Sequence, residues 1–457
     1  MKPLTVQAIA QMCGGLLLCG DGAQTARAVN TDSRRIERGD VFVALVGEKF
    51  DAHEFILQVA NDGAAVVIVS RIPGNASQLG CAVIQVQDTL IALQRLAAAH
   101  RKLLNPLVIG ITGSNGKTST KDFCATVLKN RFTVRATVGN LNNHIGVPLT
   151  LLALNEGDDC AVVEMGMNHA GEIAPLCAIA QPDVAIITNI GVAHIEFMGS
   201  RAAIAQEKGV LAEAVHENGL VVLNADDEFT PSIANRTKAK VLTAGIGNGD
   251  VRATPQQRSA AGTHFALQFP DGASVNVFLP VPGLHMVSNA ALAAACAWHH
   301  GVSPIKIAEA LAVAQLTKGR MQVKIVNGIT FINDHYNANP DSMKAGLRTL
   351  ADVSEATRRI AVLGSMGELG AHAEQGHREV GEYAANVGVD AVFTVGAEAG
   401  LISEAAHSIR AGITAKHFET HAECAAHLRG WLRRSDAVLV KGSRSAAMEK
   451  ISELLQS

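Results

Sequence analysis

Apolar residues in this chain gather into short, mostly unbroken runs. "DVFVALVG" (40–47), "AAVVIV" (64–69) and "CAVIQV" (81–86) are three of them, and "HEFILQVANDG" (53–63) between the first two reads as helical. "DTLIALQRLAAAHRKLL" (88–104) has helical spacing, with Asp88 as its N-cap, and "NPL" (105–107) interrupts it. That break closes a first domain at 1–105. A second block carries "LVIGIT" (107–112), "CAVVEMG" (160–166), "DVAIITNI" (183–190) and "GLVVLNAD" (219–226). Runs without alternation suit strands buried on both faces, and helical stretches between them predict β-α-β units on a parallel sheet. The polar, turn-rich stretch 254–283 breaks this rhythm and predicts an antiparallel appendage. A third block holds "ITFIND" (329–334), "RRIAVLG" (358–364), "DAVFTVG" (390–396) and "DAVLVKG" (436–442), which predicts a second doubly wound sheet. The expected fold is therefore α/β with three domains: 1–105, a central parallel-sheet domain over 106–318, and a Rossmann-like domain over 319–457.

Composition narrows the setting. A chain of 457 residues accommodates two to four domains at about 100–200 residues each. The formal net charge is −3 with no basic block, which argues against a nucleic-acid partner. The start, "MKPLTVQAIAQMCGG", lacks the pattern of a secretion signal, and no apolar run approaches the roughly 20 residues that span a bilayer. Eight cysteines without C-x-x-C or zinc spacing read as reduced, mostly buried thiols. A cytoplasmic protein without a membrane span is expected.

Candidate chemistry starts at "GITGSNGKTST" (110–120). It resembles a phosphate-binding loop, but the common G-x-x-x-x-G-K-[ST] needs glycine at 111, and Ile111 stands there. The setting is still right: a strand, a glycine-bearing turn, then Lys117 and Thr118 opening a helix, whose backbone N–H groups and dipole favour an anion. Lys117 would meet the β- and γ-phosphates and Thr118 a magnesium ion. An ordinary strand–helix turn is the alternative. Glu164 closes a strand, where ligands bind in such sheets, or is a surface acid. His194 follows another strand and by default is a solvated loop histidine. Lys208, in "AIAQEKGVL", reads locally as a helix-surface lysine. The asparagine-rich "GNLNNHIGVP" (139–148) and "NDHYNANPDS" (333–342) read as capped turns.

Taken in order, "TGSNGKT" (112–118), "NLNN" (140–143), "VVEMG" (162–166), "TNIGVAHIE" (188–196), "EKG" (207–209), "LNADD" (223–227), "KGR" (318–320), "NDHYNANPDSM" (333–343) and "KGSRS" (441–445) resemble the Mur ligases over essentially the whole chain. The shortened loop, Gly113 to Thr118, is that family's form. "TDSRRIERGDVFVALVGEKFDAHEF" (31–55) and "LGSMGELGAHAEQGHREVG" (363–381) resemble the member that adds a D-alanyl-D-alanine dipeptide. Members that add a single diamino acid carry D-N-P-R, which is absent here. A nucleotide-driven switch should carry N-K-x-D, also absent. One departure is "NDHYNANP", where those relatives commonly have two acids before a serine-tyrosine pair.

The resemblance implies ATP-dependent joining of D-Ala-D-Ala to UDP-N-acetylmuramoyl-tripeptide through an acyl phosphate, in peptidoglycan synthesis. It implies ATP contacts at Thr112, Gly113, Ser114, Asn115, Gly116, Lys117 and Thr118, with His285 and Asn289 near the adenine, Arg320 near the phosphates and Asp334 near the ribose. Two magnesium ions would be held by Thr118 and Glu164, and by His194 and Lys208, the lysine carrying carbon dioxide as a carbamate. Ser33 and Arg34 match the uridine end, and Asn142 and Asn143 the substrate. A monomer is expected.

Overall fold

A computed structural model describes residues 1–71, 74 and 76–456. Three large sheets organise the described residues, beside a two-stranded antiparallel pairing of Leu4–Thr5 with Thr25–Ala26. The first has five strands in the order Leu16–Cys19, Ala82–Gln85, Val66–Val69, Val41–Val43, Val29–Asn30; its first pair is antiparallel and the others parallel. Val66 to Val69 are all buried, as an unbroken β-branched run on a covered strand should be. Helix Thr89–Leu104 follows; Asp88 accepts from the Ile91 amide at 2.9 Å, and Asn105 ends the helix in a left-handed conformation.

The second sheet has nine strands. Toward one edge of it Leu107–Thr112 lies between Val184–Ile187 and Cys160–Glu164, all parallel. The chain leaves Leu107–Thr112 for the edge strand Val134–Ala136, returns to Cys160–Glu164, then crosses to Val184–Ile187. The strand order therefore reverses beside Leu107–Thr112, which is where open α/β sheets bind ligands. Register puts Glu164 opposite Ile111, and Ile187 opposite Thr112, so the three carboxyl ends finish level. The stretch 254–283 is antiparallel but is no separate appendage. Val251–Ser259 pairs parallel with Lys240–Ile246, and Gly262–Gln268 and Ser274–Leu279 extend the same sheet antiparallel. Helix Leu284–His299 packs on this sheet. Nearly every residue from Met286 to Ala297 is buried, which its alanine-rich sequence allows on all sides.

The third sheet runs Gln322–Val326, Ile329–Asn333, Asp436–Lys441, Arg358–Gly364, Ala391–Val395, Thr414–Phe418, parallel except for the first pair. Its carboxyl ends face those of the central sheet. All eight cysteines are free, six of them buried. Among the described residues no helix is long and apolar enough to cross a membrane.

Candidate active site

The phosphate loop is shaped by close approach. Gly116 has φ +81°, and a Cβ there would lie 2.4 Å from Asn289 Oδ1; a Cβ on Gly113 would lie 1.8 Å from Thr188 Oγ1. Neither position admits a side chain. Helix Lys117–Leu128 starts with no side-chain cap, so its first-turn N–H groups face the loop. Lys117 Nζ donates to the Gly113 carbonyl at 2.8 Å, bridging its own loop. Burial pushes the Lys117 ammonium below the usual lysine range, with Arg320 acting the same way and Glu164 and Glu368 opposing. Asn115 is fixed from two strands: its N–H donates to Asn189 Oδ1 at 3.0 Å, and its carbonyl accepts from Thr188 and Asn189.

Beside the loop are two buried polar atoms without partners. Glu164 is 3% exposed; its Oε1 accepts from Asn142 Nδ2 at 2.8 Å, and its Oε2 has no partner. Lys208, on helix Arg201–Glu213, is 0% exposed, and its Nζ also has none. The surface lysine expected from local sequence is thus a fully buried one. Burial drives the Lys208 pKa well below the lysine range, and the Lys117 charge adds to that, against a smaller opposing effect of Glu207. A buried cation without a partner is costly, so the neutral amine is favoured.

The third sheet supplies the opposite wall. Asp334 receives the Lys441 ammonium at 2.5 Å, and both are buried. Burial alone would raise the Asp334 carboxyl; Lys441, with Arg320 and His285, holds it below the usual range. Strand alternation explains the neighbouring departure. Asn333 points the other way, where its Oδ1 accepts from Ser452 at 2.7 Å and Gln456 at 2.8 Å and so clamps helix Glu449–Gln456. Arg320 stacks 4.2 Å above the Tyr336 ring and reaches Thr118 Oγ1 at 3.4 Å. His285 sits in the first turn of helix Leu284–His299, with its pKa pushed down to about 4 by burial. Asn339 donates to Asn115 Oδ1 at 2.8 Å, and Asp341 accepts from the Val192 amide at 2.9 Å, so the two sheets meet at the loop.

Between them is a cavity of about 510 Å³. Of the sequence-predicted residues, Ser114, Asn115, Gly116, Lys117, Thr118, His194, His285, Asn289, Arg320 and Asp334 line it. Among the described residues, neither Lys117 nor Arg320 has an acidic partner, whereas Asp334 is already paired with Lys441. Lys117 and Arg320 therefore stand free of a direct acidic contact and open to an anion, with the Asp341 and Glu368 carboxylates lining the same cavity. A chain of about this fold, with a phosphate-type loop and such a cleft, is built to hold a nucleoside polyphosphate.

Comparison with known proteins gives the family. Residues 111–297 match the Mur ligase middle domain, and residues 319–444 the domain described as Mur ligase, glutamate ligase domain. The UDP-N-acetylmuramoyl-tripeptide–D-alanyl-D-alanine ligase of Bacillus subtilis is 37% identical over 457 residues, covering 99% of this chain and 98% of that one. The chain belongs to the MurF family of Mur ligases. A crystal structure of MurF from Acinetobacter baumannii superposes with a TM-score of 0.91 at 36% identity, covering 100% and 99% of the two chains. MurF from Thermotoga maritima, solved in complex with ADP, gives 0.83 at 29% identity, covering 94% and 97%.

The remaining predicted residues lie elsewhere in this MurF-type chain. Glu164 and Lys208 sit behind the cavity, within electrostatic reach of Lys117. Thr112 is buried with its hydroxyl unpartnered, and Gly113 opens the loop with its carbonyl turned to Lys117. Asn142 holds Glu164, while Asn143 Oδ1 accepts from the Ile145 and Gly146 amides just ahead of and at the start of the helix Gly146–Leu152. Ser33 and Arg34 form a short turn at the first sheet, where exposed Arg34 pairs with Asp32 at 2.8 Å. Sequence reasoning assigned no role to Asn189, Asp341, Glu368 or Lys441, all of which line the cavity. Lys441 had a legible signal, a lysine ending the apolar run "DAVLVK".

Proposed function

We propose that this chain ligates D-Ala-D-Ala to UDP-N-acetylmuramoyl-tripeptide at the expense of ATP. The observation that carries the reading is the cavity itself, a phosphate loop closed over by a second sheet, with Lys117 and Arg320 free to meet an anion. The MurF relatives supply the substrate class. In this reading 1–105 holds the uridine end through Ser33 and Arg34, 106–318 holds ATP, and 319–457 presents the dipeptide.

The chemistry follows from physical need. A carboxylate is a poor electrophile. One of its oxygens takes the γ-phosphoryl group, ADP departs, and an acyl phosphate results. The dipeptide amine then attacks the carbonyl carbon, loses a proton, and expels phosphate bearing the former carboxylate oxygen. Lys117 and Arg320 lie where charge builds on the transferring group, and fixed cations in a closed cleft act there with little reorganisation. Closure of the third sheet keeps water from the acyl phosphate.

The residues fit magnesium in part. Among the described residues no cluster of three or more His, Cys, Asp and Glu could hold an ion alone. That suits an ion bound by one carboxylate, a hydroxyl and phosphate oxygens. Thr118 and Glu164, with Oε2 open, would hold one ion; His194 and Lys208 would hold a second. When bound, the ions neutralise phosphate charge. Lys208 would serve as a carbamate: its neutral amine adds carbon dioxide, releases a proton and becomes an anionic oxygen donor. Its burial, lack of a partner and depressed pKa support this step.

A phosphate-release assay tests the reading. Release should require ATP, a UDP-tripeptide (bearing diaminopimelate or lysine) and D-Ala-D-Ala together; steady release from ATP alone would refute it.

A further inference from the structure

His194 and Glu368 come from different sheets and meet at the cavity. His194 Nδ1 lies 2.7 Å from Glu368 Oε2, the distance of a charge-assisted contact, although the oxygen sits off the N–H axis of a directed hydrogen bond. Both residues adopt left-handed backbone conformations, with φ +62° at His194 and φ +60° at Glu368. Non-glycine residues rarely do so, and such a backbone persists only where its surroundings hold it. The surroundings here do hold it. The Glu196 amide donates to the Glu368 carbonyl at 3.4 Å, Leu369 is buried, and a Cβ on Gly370 would lie 2.8 Å from Glu196 Cγ. The loop after strand Arg358–Gly364 is thus seated on the turn that carries His194. The contact with His194 holds the Glu368 carboxyl below the usual range.

We propose that Glu368 is a positioning residue for His194, fixing its ring so that Nε2 is the nitrogen offered to a divalent cation. This rests on the two-ion reading above. Histidines that bind metal usually give the other ring N–H to a carboxylate or carbonyl, which sets both tautomer and ring orientation. The distinctive point is the origin of the carboxylate. It arrives on the third sheet, so His194 is ready for a cation only while that sheet is docked on the central one. By reciprocity, a cation on His194 favours the docked arrangement. The site that receives ATP and the unit that presents the dipeptide would then be linked through one pair of side chains.

The test is manganese titration of the full chain with a non-hydrolysable ATP analogue, followed by electron paramagnetic resonance, with histidine nitrogen coupling as the second readout. Wild type should show a histidine-coupled ion that His194→Ala abolishes. Glu368→Ala should weaken that ion by about 10- to 100-fold and reduce the nitrogen coupling, leaving the other ion unchanged. Glu368→Gln, which keeps an acceptor, should lose less. Asp341→Ala, which loosens docking but leaves the carboxylate on His194, should weaken the histidine-coupled ion less than Glu368→Ala does and should keep its nitrogen coupling. Wild-type ion affinity in a folded Glu368→Ala chain would overturn the proposal while leaving the two-ion reading intact; so would equal weakening by Asp341→Ala. Absence of any histidine-coupled ion in the wild type would overturn the two-ion reading and the proposal with it.

Discussion

Asn142 donates to Oε1 of Glu164 across 2.8 Å, and the other oxygen of that carboxylate is left buried with no partner. One side chain from an asparagine-rich turn thus fixes the orientation of the acid that ends the strand Cys160–Glu164. Asn142→Ala should leave the fold intact, because a single hydrogen bond is worth about 1 kcal/mol. It should raise the magnesium concentration needed for half-maximal activity by about tenfold or more, as loss of a ligand's supporting partner generally does. Activity against magnesium concentration checks this; an unchanged curve would refute the role.

Lys117 and Lys208 should fail for opposite reasons. Lys117→Ala removes the cation proposed to meet the transferring phosphoryl group, and activity should fall by roughly 10²- to 10³-fold or more. Lys208→Ala removes the proposed oxygen donor and should also be nearly inactive. Short-chain carboxylic acids should partly restore Lys208→Ala by occupying the vacated space, and should not restore Lys117→Ala. Rescue of both variants, or of neither, contradicts the carbamate assignment.

Gly116→Ala should abolish nucleotide binding in a chain that still folds. The added methyl would lie 2.4 Å from Asn289 Oδ1, at a φ of +81°. The left-handed backbone alone costs a side chain roughly 1–2 kcal/mol. Calorimetric titration with ADP is the check.

His285 predicts a pH effect. Its folded pKa is pushed down to about 4 by burial, with Lys441 adding and Asp334 opposing, while an unfolded histidine titrates near 6.5. Between these values the unfolded chain binds the proton and the folded chain does not. Stability from this residue is therefore full above about pH 6.5 and is lost as pH falls toward 4. In His285→Gln the melting temperature should fall less steeply over that window than in the wild type. Parallel curves would show that His285 is not the group responsible.

Much of this was legible in the sequence, for identifiable reasons. The apolar runs 107–112, 160–166 and 183–190 mark strands buried on both faces, and Gly113, Glu164 and Asn189 fall at or just past the carboxyl ends of the strands Leu107–Thr112, Cys160–Glu164 and Val184–Ile187 because those parallel strands end level. Asp88 was readable as a cap because capping is local. What was not legible depends on distance along the chain. Lys208 has a neighbourhood that reads as a solvated helix face, and only packing of its helix against the sheet buries it. Glu368 and Asp341 are ordinary acids in sequence, and their meeting with His194 and Val192 requires two sheets to dock. The strands 251–279 showed their antiparallel character, but their union with the central sheet rests on a short parallel pairing of three residues, Ala244–Ile246 with Val251–Ala253, that no local pattern announces.

The most direct measurement of the central claim follows the carboxylate oxygen. The tripeptide's terminal carboxylate is labelled with heavy oxygen, and the reaction is run with ATP and D-Ala-D-Ala. Ligation through an acyl phosphate predicts pentapeptide product and one labelled oxygen in each phosphate released. Phosphate without the label, or released with no dipeptide joined, would contradict it.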